Sequence, residues 1–204
     1  TSLNCSSESQ LVFLDLGRNK LTTPPSIPET LQTLILDCNE LQDINKISNP
    51  VKINRLCISR NKLETFTPSS VLPALTILDL SSNKLTSLPN FSKVTPHLRQ
   101  LDISDNFINE LPLFPRTLSE IIIRNNRLRS LPSSFSSLPC LIYADLSQNL
   151  IEELPVLPRV LQTLIVYDNN VKTVQQSSVA EMFRLYLMNN NLEEVPFFKS
   201  NALA

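Results

Sequence analysis

The sequence predicts an α/β solenoid: a horseshoe of nine repeats with a parallel β-sheet on its concave side and mostly irregular or 3₁₀ arcs on its convex side. Three observations support this fold class. One motif recurs nine times, the 15 prolines all fall outside its copies, and the 204 residues include a single glycine. Repeats of 20 to 23 residues are typical of stacked turns, each of which buries its apolar face against its neighbours.

The repeated motif has the form LxxLxLxxNxL, the pattern of a leucine-rich repeat. Side chains alternate between the two faces of a strand, so Leu34 and Leu36 are expected to point inward and Ile35 outward. Each buried leucine contributes about 1.5–3 kcal/mol through its removal from water. The nine copies begin at Leu11, Leu31, Ile53, Leu75, Leu98, Leu118, Leu141, Leu161 and Met182.

An asparagine follows each predicted strand. Its amide can bond backbone groups that a turn leaves unpaired, so we interpret these residues as structural. The asparagines are Asn19, Asn39, Asn61, Asn83, Asn106, Asn126, Asn149, Asn169 and Asn190.

The prolines lie in the connecting arcs, as at Pro24, Pro112 and Pro155. Proline lacks an N–H group and interrupts a strand ladder, so its placement agrees with proline-free strands. We expect extended, polyproline-like or 3₁₀ arcs. The arc from Val171 to Glu181 has no proline and predicts a short helical turn.

The predicted organisation is an N-terminal flank (1–10), a leucine-rich repeat domain (11–192) and a C-terminal flank (193–204). A solenoid needs its terminal repeats covered. We expect Phe197 and Phe198 to fold over the last repeat. The first repeat has little sequence before it, so we expect either more sequence in the native protein or a frayed first repeat.

Composition argues against several classes of function. One glycine is too few for dinucleotide or phosphate-binding loops, and His97 is the only histidine for triad or metal chemistry. The net charge of -1 argues against a basic nucleic-acid surface. No apolar run is long enough to span a membrane. We therefore predict no enzyme activity, no cofactor and no metal. The cysteines, with no paired spacing, favour a reducing intracellular compartment; they are Cys5, Cys38, Cys57 and Cys140.

Three arcs carry a narrower signature, xLPxxPxxL: residues 110–118, residues 153–161 and, more loosely, residues 23–31. They resemble the LPxLP subclass of repeats in bacterial effectors, here mixed with typical repeats of 22 or 23 residues. The resemblance implies a protein-interaction scaffold that a bacterium secretes into the host-cell cytoplasm, where it binds a host protein.

Two alternatives stay open. In the first, the chain is the substrate-recognition arm of a larger enzyme, such as a ubiquitin ligase whose catalytic domain is absent here. In the second, it is a eukaryotic leucine-rich repeat recognition module. Sugar on the glycosylation sequons at Asn4 or Asn90 would favour an extracellular origin.

The third, fifth and seventh motif positions are expected on the concave face, where a partner would bind. In the last three repeats these positions are rich in tyrosine and aliphatic residues, which are typical of interfaces. Cover by another part of the chain is the alternative. The predicted anchor residues are Tyr143, Ile165, Tyr167, Arg184, Tyr186 and Met188.

The middle of this face is acidic, which would select a basic segment of a partner unless the carboxylates are merely solvated. The predicted partner-binding carboxylates are Asp79, Asp102, Glu120 and Asp145, with Asp105 nearby. The arginines Arg18, Arg55 and Arg60 lie toward the N-terminal end and predict a charge gradient that fixes the partner's orientation. Gly17 is interpreted as relief of an ordinary turn. The sequence leaves the oligomeric state open, and we favour a monomer.

Overall fold

The computed structural model describes residues 10–45, 47, 50–174 and 182–194. Within these ranges nine short strands form one parallel sheet, which confirms the predicted solenoid. In sheet order, the strands are β1 (Phe13–Asp15), β2 (Thr33–Ile35), β3 (Arg55–Cys57), β4 (Ile77–Asp79), β5 (Gln100–Asp102), β6 (Glu120–Ile122), β7 (Tyr143–Asp145), β9 (Thr163–Ile165) and β11 (Arg184–Tyr186). Two further strands, β8 (Glu153–Leu154) and β10 (Thr173–Val174), pair with each other in an outer sheet.

The register of the main sheet aligns equal motif positions in every repeat. Leu34 pairs with Leu56, Leu56 with Leu78, and Leu78 with Leu101. Each strand has only three residues, so no repeat could hold its strand alone. Stability therefore comes from the stack, and the variable side chains form continuous rows along the concave face.

The core is a set of apolar ladders behind the sheet. The inward leucines Leu34, Leu36 and Leu80 have no exposed surface. Toward the convex side, the ring centre of Phe91 lies 6.2 Å from that of Phe66 and 5.9 Å from that of Phe114. These rings come from three successive convex arcs and pack against one another, so the sheet is backed by a packed interior that fixes its shape.

The asparagines behave as the motif predicts. The Nδ2 group of Asn83 donates to the carbonyl oxygens of Ile58, Leu80 and Ser81 at 3.0–3.2 Å. Its Oδ1 accepts a bond of 3.0 Å from the N–H of Leu63. The buried amide thus joins its own turn to the preceding repeat. The same pattern recurs at Asn61, Asn106 and Asn149.

The turn before each asparagine is left-handed, although no glycine occupies it. A left-handed residue with a side chain is strained by roughly 1–2 kcal/mol. The nine residues with φ between 53° and 57° are Arg18, Cys38, Arg60, Ser82, Asp105, Asn125, Gln148, Asp168 and Asn189. Gly17 is not among them, so its interpretation as turn relief is wrong. Its N–H donates to Asp15 Oδ1 at 2.8 Å, and a Cβ on Gly17 would lie 3.0 Å from that oxygen.

Where the structure describes them, the convex arcs are mostly irregular, as predicted, and hold two 3₁₀ segments (Pro50–Lys52 and Ser133–Ser137) and one helical turn, α1 (Phe91–Val94). In the arc that begins at Val171, the described residues form β10, and the predicted helical turn lies outside the described residues. The same holds for the expected cap of Phe197 and Phe198, for Cys5 and for the sequon at Asn4. No helix among the described residues is long and apolar enough to cross a membrane.

Candidate functional site

The strands place three rows of variable side chains on the concave face, one for each of the third, fifth and seventh motif positions. In the row of fifth positions, for example, Asp79 on β4 is the register partner of Asp102 on β5. On the same row Asp145 pairs with Ile165, and Ile165 pairs with Tyr186. Residues far apart in sequence therefore become neighbours on a fixed surface.

At the C-terminal third of the face, strands β7, β9 and β11 enclose an open hollow of ≈ 290 Å³, which we call the C-terminal hollow. It is lined by Tyr143, Thr163, Ile165, Tyr167, Arg184 and Tyr186. The structure thus brings together five of the six predicted anchor residues and adds Thr163. Met188 is 66% exposed and does not line the hollow.

The tyrosines of this hollow differ in environment. Tyr186 is an exposed side chain, with 49% of its surface accessible, whereas Tyr143 is less exposed and partly covered by its neighbours. Burial raises the pKa of the Tyr143 hydroxyl, and the charges of Asp145, Glu120 and Asp102 raise it further. Tyr143 therefore stays a neutral hydrogen-bond donor. The strand register places Glu120 beside Tyr143 and Asp145 beside Ile165, so carboxylates border the hollow on its β6 and β7 side.

The opposite end of the face carries a polar hollow of ≈ 350 Å³, which we call the N-terminal hollow. It is lined by Asp15, Gly17, Arg18, Ile35, Asp37, Cys38, Ser59 and Arg60. Sequence reasoning did not predict it. Arg18 and Arg60 lie there beside Asp15 and Asp37, so the expected basic end of the face is a mixed one.

The carboxylates of position five have a local structural task. Asp79 Oδ1 accepts hydrogen bonds from the N–H and Oγ of Ser81 at 2.9 and 2.7 Å. Asp102 binds Ser104 in the same way, and Asp145 binds Ser147. The repeated sequence Asp-x-Ser was the available signal for this brace, which uses one oxygen of each carboxylate.

The carboxylates also affect one another. Burial raises the pKa of Asp102, although hydrogen bonds from Ser104 oppose the change, and the nearby charges of Asp79 and Asp105 add to it. Asp105 is exposed at the left-handed position and accepts a 2.8 Å bond from Asn125 Nδ2. Glu120 lies on β6 as the register partner of Tyr143. The predicted acidic residues therefore form a series that leads to the C-terminal hollow.

The concave rows are more acidic than the chain as a whole. They hold six carboxylates and three arginines, an excess of three, whereas the chain's net charge is -1; the carboxylates are Asp15, Asp37, Asp79, Asp102, Glu120 and Asp145, and the arginines are Arg55, Arg124 and Arg184. The ion pairs between described residues, Lys62 with Glu40 and Arg129 with Glu152, lie off this face. Between the described residues, therefore, none of the charges on this face is engaged in an ion pair, although several accept or donate hydrogen bonds.

No group of three or more histidine, cysteine, aspartate or glutamate side chains within the described part of the chain could hold a metal ion. Cys38 is half-buried, Cys57 is buried and Cys140 is exposed, and all three are free thiols. Burial raises the pKa of Cys57, which keeps this thiol protonated.

Comparison with known proteins agrees with this architecture. A family model described as leucine-rich repeats (2 copies) matches residues 73–115. The repeat motif, the sheet register and this match make the chain a leucine-rich repeat solenoid. No curated protein sequence matches the chain significantly.

Several of the solved structures similar to this chain come from bacterial pathogens. The leucine-rich effector protein YopM of Yersinia pestis is 28% identical, with a TM-score of 0.80 over 92% of this chain and 52% of YopM. The functional domain of InlJ from Listeria monocytogenes is 25% identical, with a TM-score of 0.69 over 95% of this chain and 45% of InlJ. A Shigella effector domain, 23% identical, shows the shared fold alone, with a TM-score of 0.60 over 89% of this chain and 70% of the domain.

The repeats of this chain thus resemble those of bacterial effectors, as the arc signature predicted. The chain spans about half the length of the YopM and InlJ structures that it matches.

Proposed function

We propose that this chain is a protein-binding scaffold that captures another protein on its concave face, with the C-terminal hollow as the anchor. The observation that carries the proposal is the hollow itself. Three tyrosines and Ile165 converge there on an open surface. An exposed apolar patch of this kind usually marks an interaction site, and tyrosine and arginine are the residue types that most often dominate binding energy.

The rigidity of the sheet supports this function. The strands beneath the hollow rest on fully buried Leu164 and on the bonded amide of Asn169. A preformed surface loses little conformational freedom when a partner arrives, so more of the contact energy remains as affinity. The proposal assigns the chain no reaction: it acts by occupying its partner, which it sequesters or recruits.

We further propose that the protein is a bacterial effector, secreted into the host-cell cytoplasm, and that the partner is a host protein. The likeness to YopM in repeat sequence and in fold supports this assignment. The functional unit would be the repeat domain 11–192, with residues 1–10 and 193–204 as flanks. Because the chain spans about half of YopM, any further activity of the whole protein is outside this proposal.

A capture experiment from host-cell lysate tests the function. We expect the wild-type chain to retain a protein that a Tyr167→Ala/Tyr186→Ala/Met188→Ala variant loses. Mass spectrometry would identify this protein, and titration of the purified partner should show affinity weakened by about tenfold or more. The matched control is Phe13→Ala, which removes a side chain that is 56% exposed on the same face but at its other end.

The capture experiment separates binding at the C-terminal hollow from binding elsewhere on the face. Circular dichroism must first show that the variants stay folded. A partner that binds the wild type and the triple variant equally would move the binding site away from the C-terminal hollow. A partner lost by Phe13→Ala to the same degree would place it at the N-terminal end.

A further inference from the structure

The surroundings of the C-terminal hollow restrict the kind of segment that fits it. Its walls are aromatic and aliphatic, so it favours one large apolar side chain. Arg184 lies on its β11 side, and Asp145 and Glu120 lie on its β7 and β6 side. The occupant therefore meets carboxylates when it extends from the hollow toward the middle of the sheet.

These carboxylates keep capacity for a cation. The Ser147 brace uses Oδ1 of Asp145, and the Ser104 brace uses Oδ1 of Asp102, so the second oxygen of each carboxylate stays available. No ion pair between described residues includes Asp102, Glu120 or Asp145. A lysine or arginine from a partner would thus gain a charge-assisted bond without first breaking an internal one.

The spacing of the strands predicts where the apolar and basic residues must lie along a bound peptide. Neighbouring strands lie about 4.8 Å apart, so Asp102 on β5 lies about 14 Å from the hollow's centre on β9, measured along the sheet. An extended peptide advances about 3.3 Å per residue, and alternate side chains face the same way. With an apolar side chain in the hollow, the second residue along reaches Asp145 and Glu120, and the fourth reaches Asp102.

We propose that the C-terminal hollow and the neighbouring carboxylates bind an extended peptide segment with one large apolar side chain and lysine or arginine at the second and fourth positions from it, on the side that lies toward β5. This inference rests on the proposed function and deepens it. It commits to a partner protein segment because the acidic excess of the face complements a basic segment.

Fluorescence anisotropy with labelled synthetic peptides tests the proposal on the full chain. The probe carries a phenylalanine with lysines at the second and fourth positions, made in both chain directions because a segment can cross the sheet either way. Two control peptides replace the lysines by glutamate or the phenylalanine by alanine. We expect the better-oriented probe to bind at least about tenfold more tightly than either control, and to weaken as salt concentration rises.

Protein variants locate the binding. Tyr186→Ala should weaken the affinity for the probe peptide by about tenfold. Its control, Phe13→Ala, removes another exposed ring on the same face and should leave that affinity unchanged. Glu120→Gln keeps the shape of the side chain, leaves the serine braces intact and should weaken the probe by roughly threefold to fivefold. The control for charge is Glu153→Gln on the outer strand β8.

Several outcomes would overturn the proposal. Equal binding of the lysine and glutamate peptides would exclude the basic segment, and an equal effect of Tyr186→Ala and Phe13→Ala would exclude the hollow. Dimerisation lost on Tyr186→Ala, with no peptide bound, would assign the face to a second copy of the chain. If no peptide binds but a captured host protein still depends on Tyr167, Tyr186 and Met188, the proposed function stands and only the segment chemistry fails.

Discussion

The two hollows of the concave face share one backbone but have opposite chemistry. The N-terminal hollow, of ≈ 350 Å³, mixes carboxylates and arginines, whereas the C-terminal hollow, of ≈ 290 Å³, is walled by tyrosines and Ile165. Both lie on three-residue strands with the same register and turns. The difference shows that the buried motif positions build the surface, and that the variable positions alone decide what the surface can bind.

The largest expected effect tests the frame that both hollows share. Asn61→Ala near the N-terminal hollow and Asn169→Ala near the C-terminal hollow each remove a buried amide with four backbone bonds. Because backbone groups would be left unpaired, we expect each change to lower the free energy of unfolding by about 3 kcal/mol. Urea denaturation followed by circular dichroism measures this value.

The control for these variants is Asn109→Ala, which alters an exposed asparagine and should change stability by less than about 0.5 kcal/mol. If Asn61→Ala lowered the free energy of unfolding much more than Asn169→Ala, the two hollows would not rest on equally stable backbone.

A smaller effect is expected at the left-handed turn. Arg60 lines the N-terminal hollow with φ of 53°, so Arg60→Gly removes backbone strain. We expect an increase in the free energy of unfolding of about 0.5–1 kcal/mol, since glycine's added freedom in the unfolded chain offsets part of the gain. Thermal and urea denaturation would measure it.

The matched control is Arg99→Gly, at an exposed residue without positive φ, which should instead lose about 0.5–1 kcal/mol. Destabilisation by both glycines would show that the Arg60 side chain contributes more than its backbone strain costs.

The smallest effect concerns charge. Burial raises the pKa of both Asp37, in the N-terminal hollow, and Asp102, near the middle of the face. Between the ordinary pKa and the raised one, the folded protein binds more protons than the unfolded chain, so stability falls as pH rises through that window. Asp102→Asn can still accept the Ser104 bonds and should raise the thermal midpoint at pH 7 by less than about 2 °C.

This gain should disappear as pH falls below the ordinary carboxyl pKa, near about 4, where wild-type Asp102 is itself protonated. Melting curves at a series of pH values would measure it, with Glu153→Gln on the outer strand β8 as the control. A gain that is constant across pH would mean that packing, rather than charge, separates the variant from the wild type.

Much of the candidate site could be predicted because the repeat fixes which side chains face outward. Tyr143, Tyr167 and Tyr186 are spread over 44 residues, yet the motif position of each was enough to expect them together. Two features were missed. The inclusion of Thr163 depends on the shape of the hollow, and the polar hollow at the other end depends on how Arg18 and Arg60 lie beside the carboxylates.

The sequence by itself determined the solenoid, the nine strands of its main sheet and the buried role of residues such as Leu34 and Asn83, since periodic burial requires only that equal positions stack. Tertiary structure alone decided the left-handed turns, the polar N-terminal hollow and the unequal exposure of Tyr143 and Tyr186. These features depend on backbone angles and on distances between neighbouring repeats, which a linear pattern does not contain. The sequence therefore determines which side chains the face presents, whereas their distances and exposure are set only when the repeats stack.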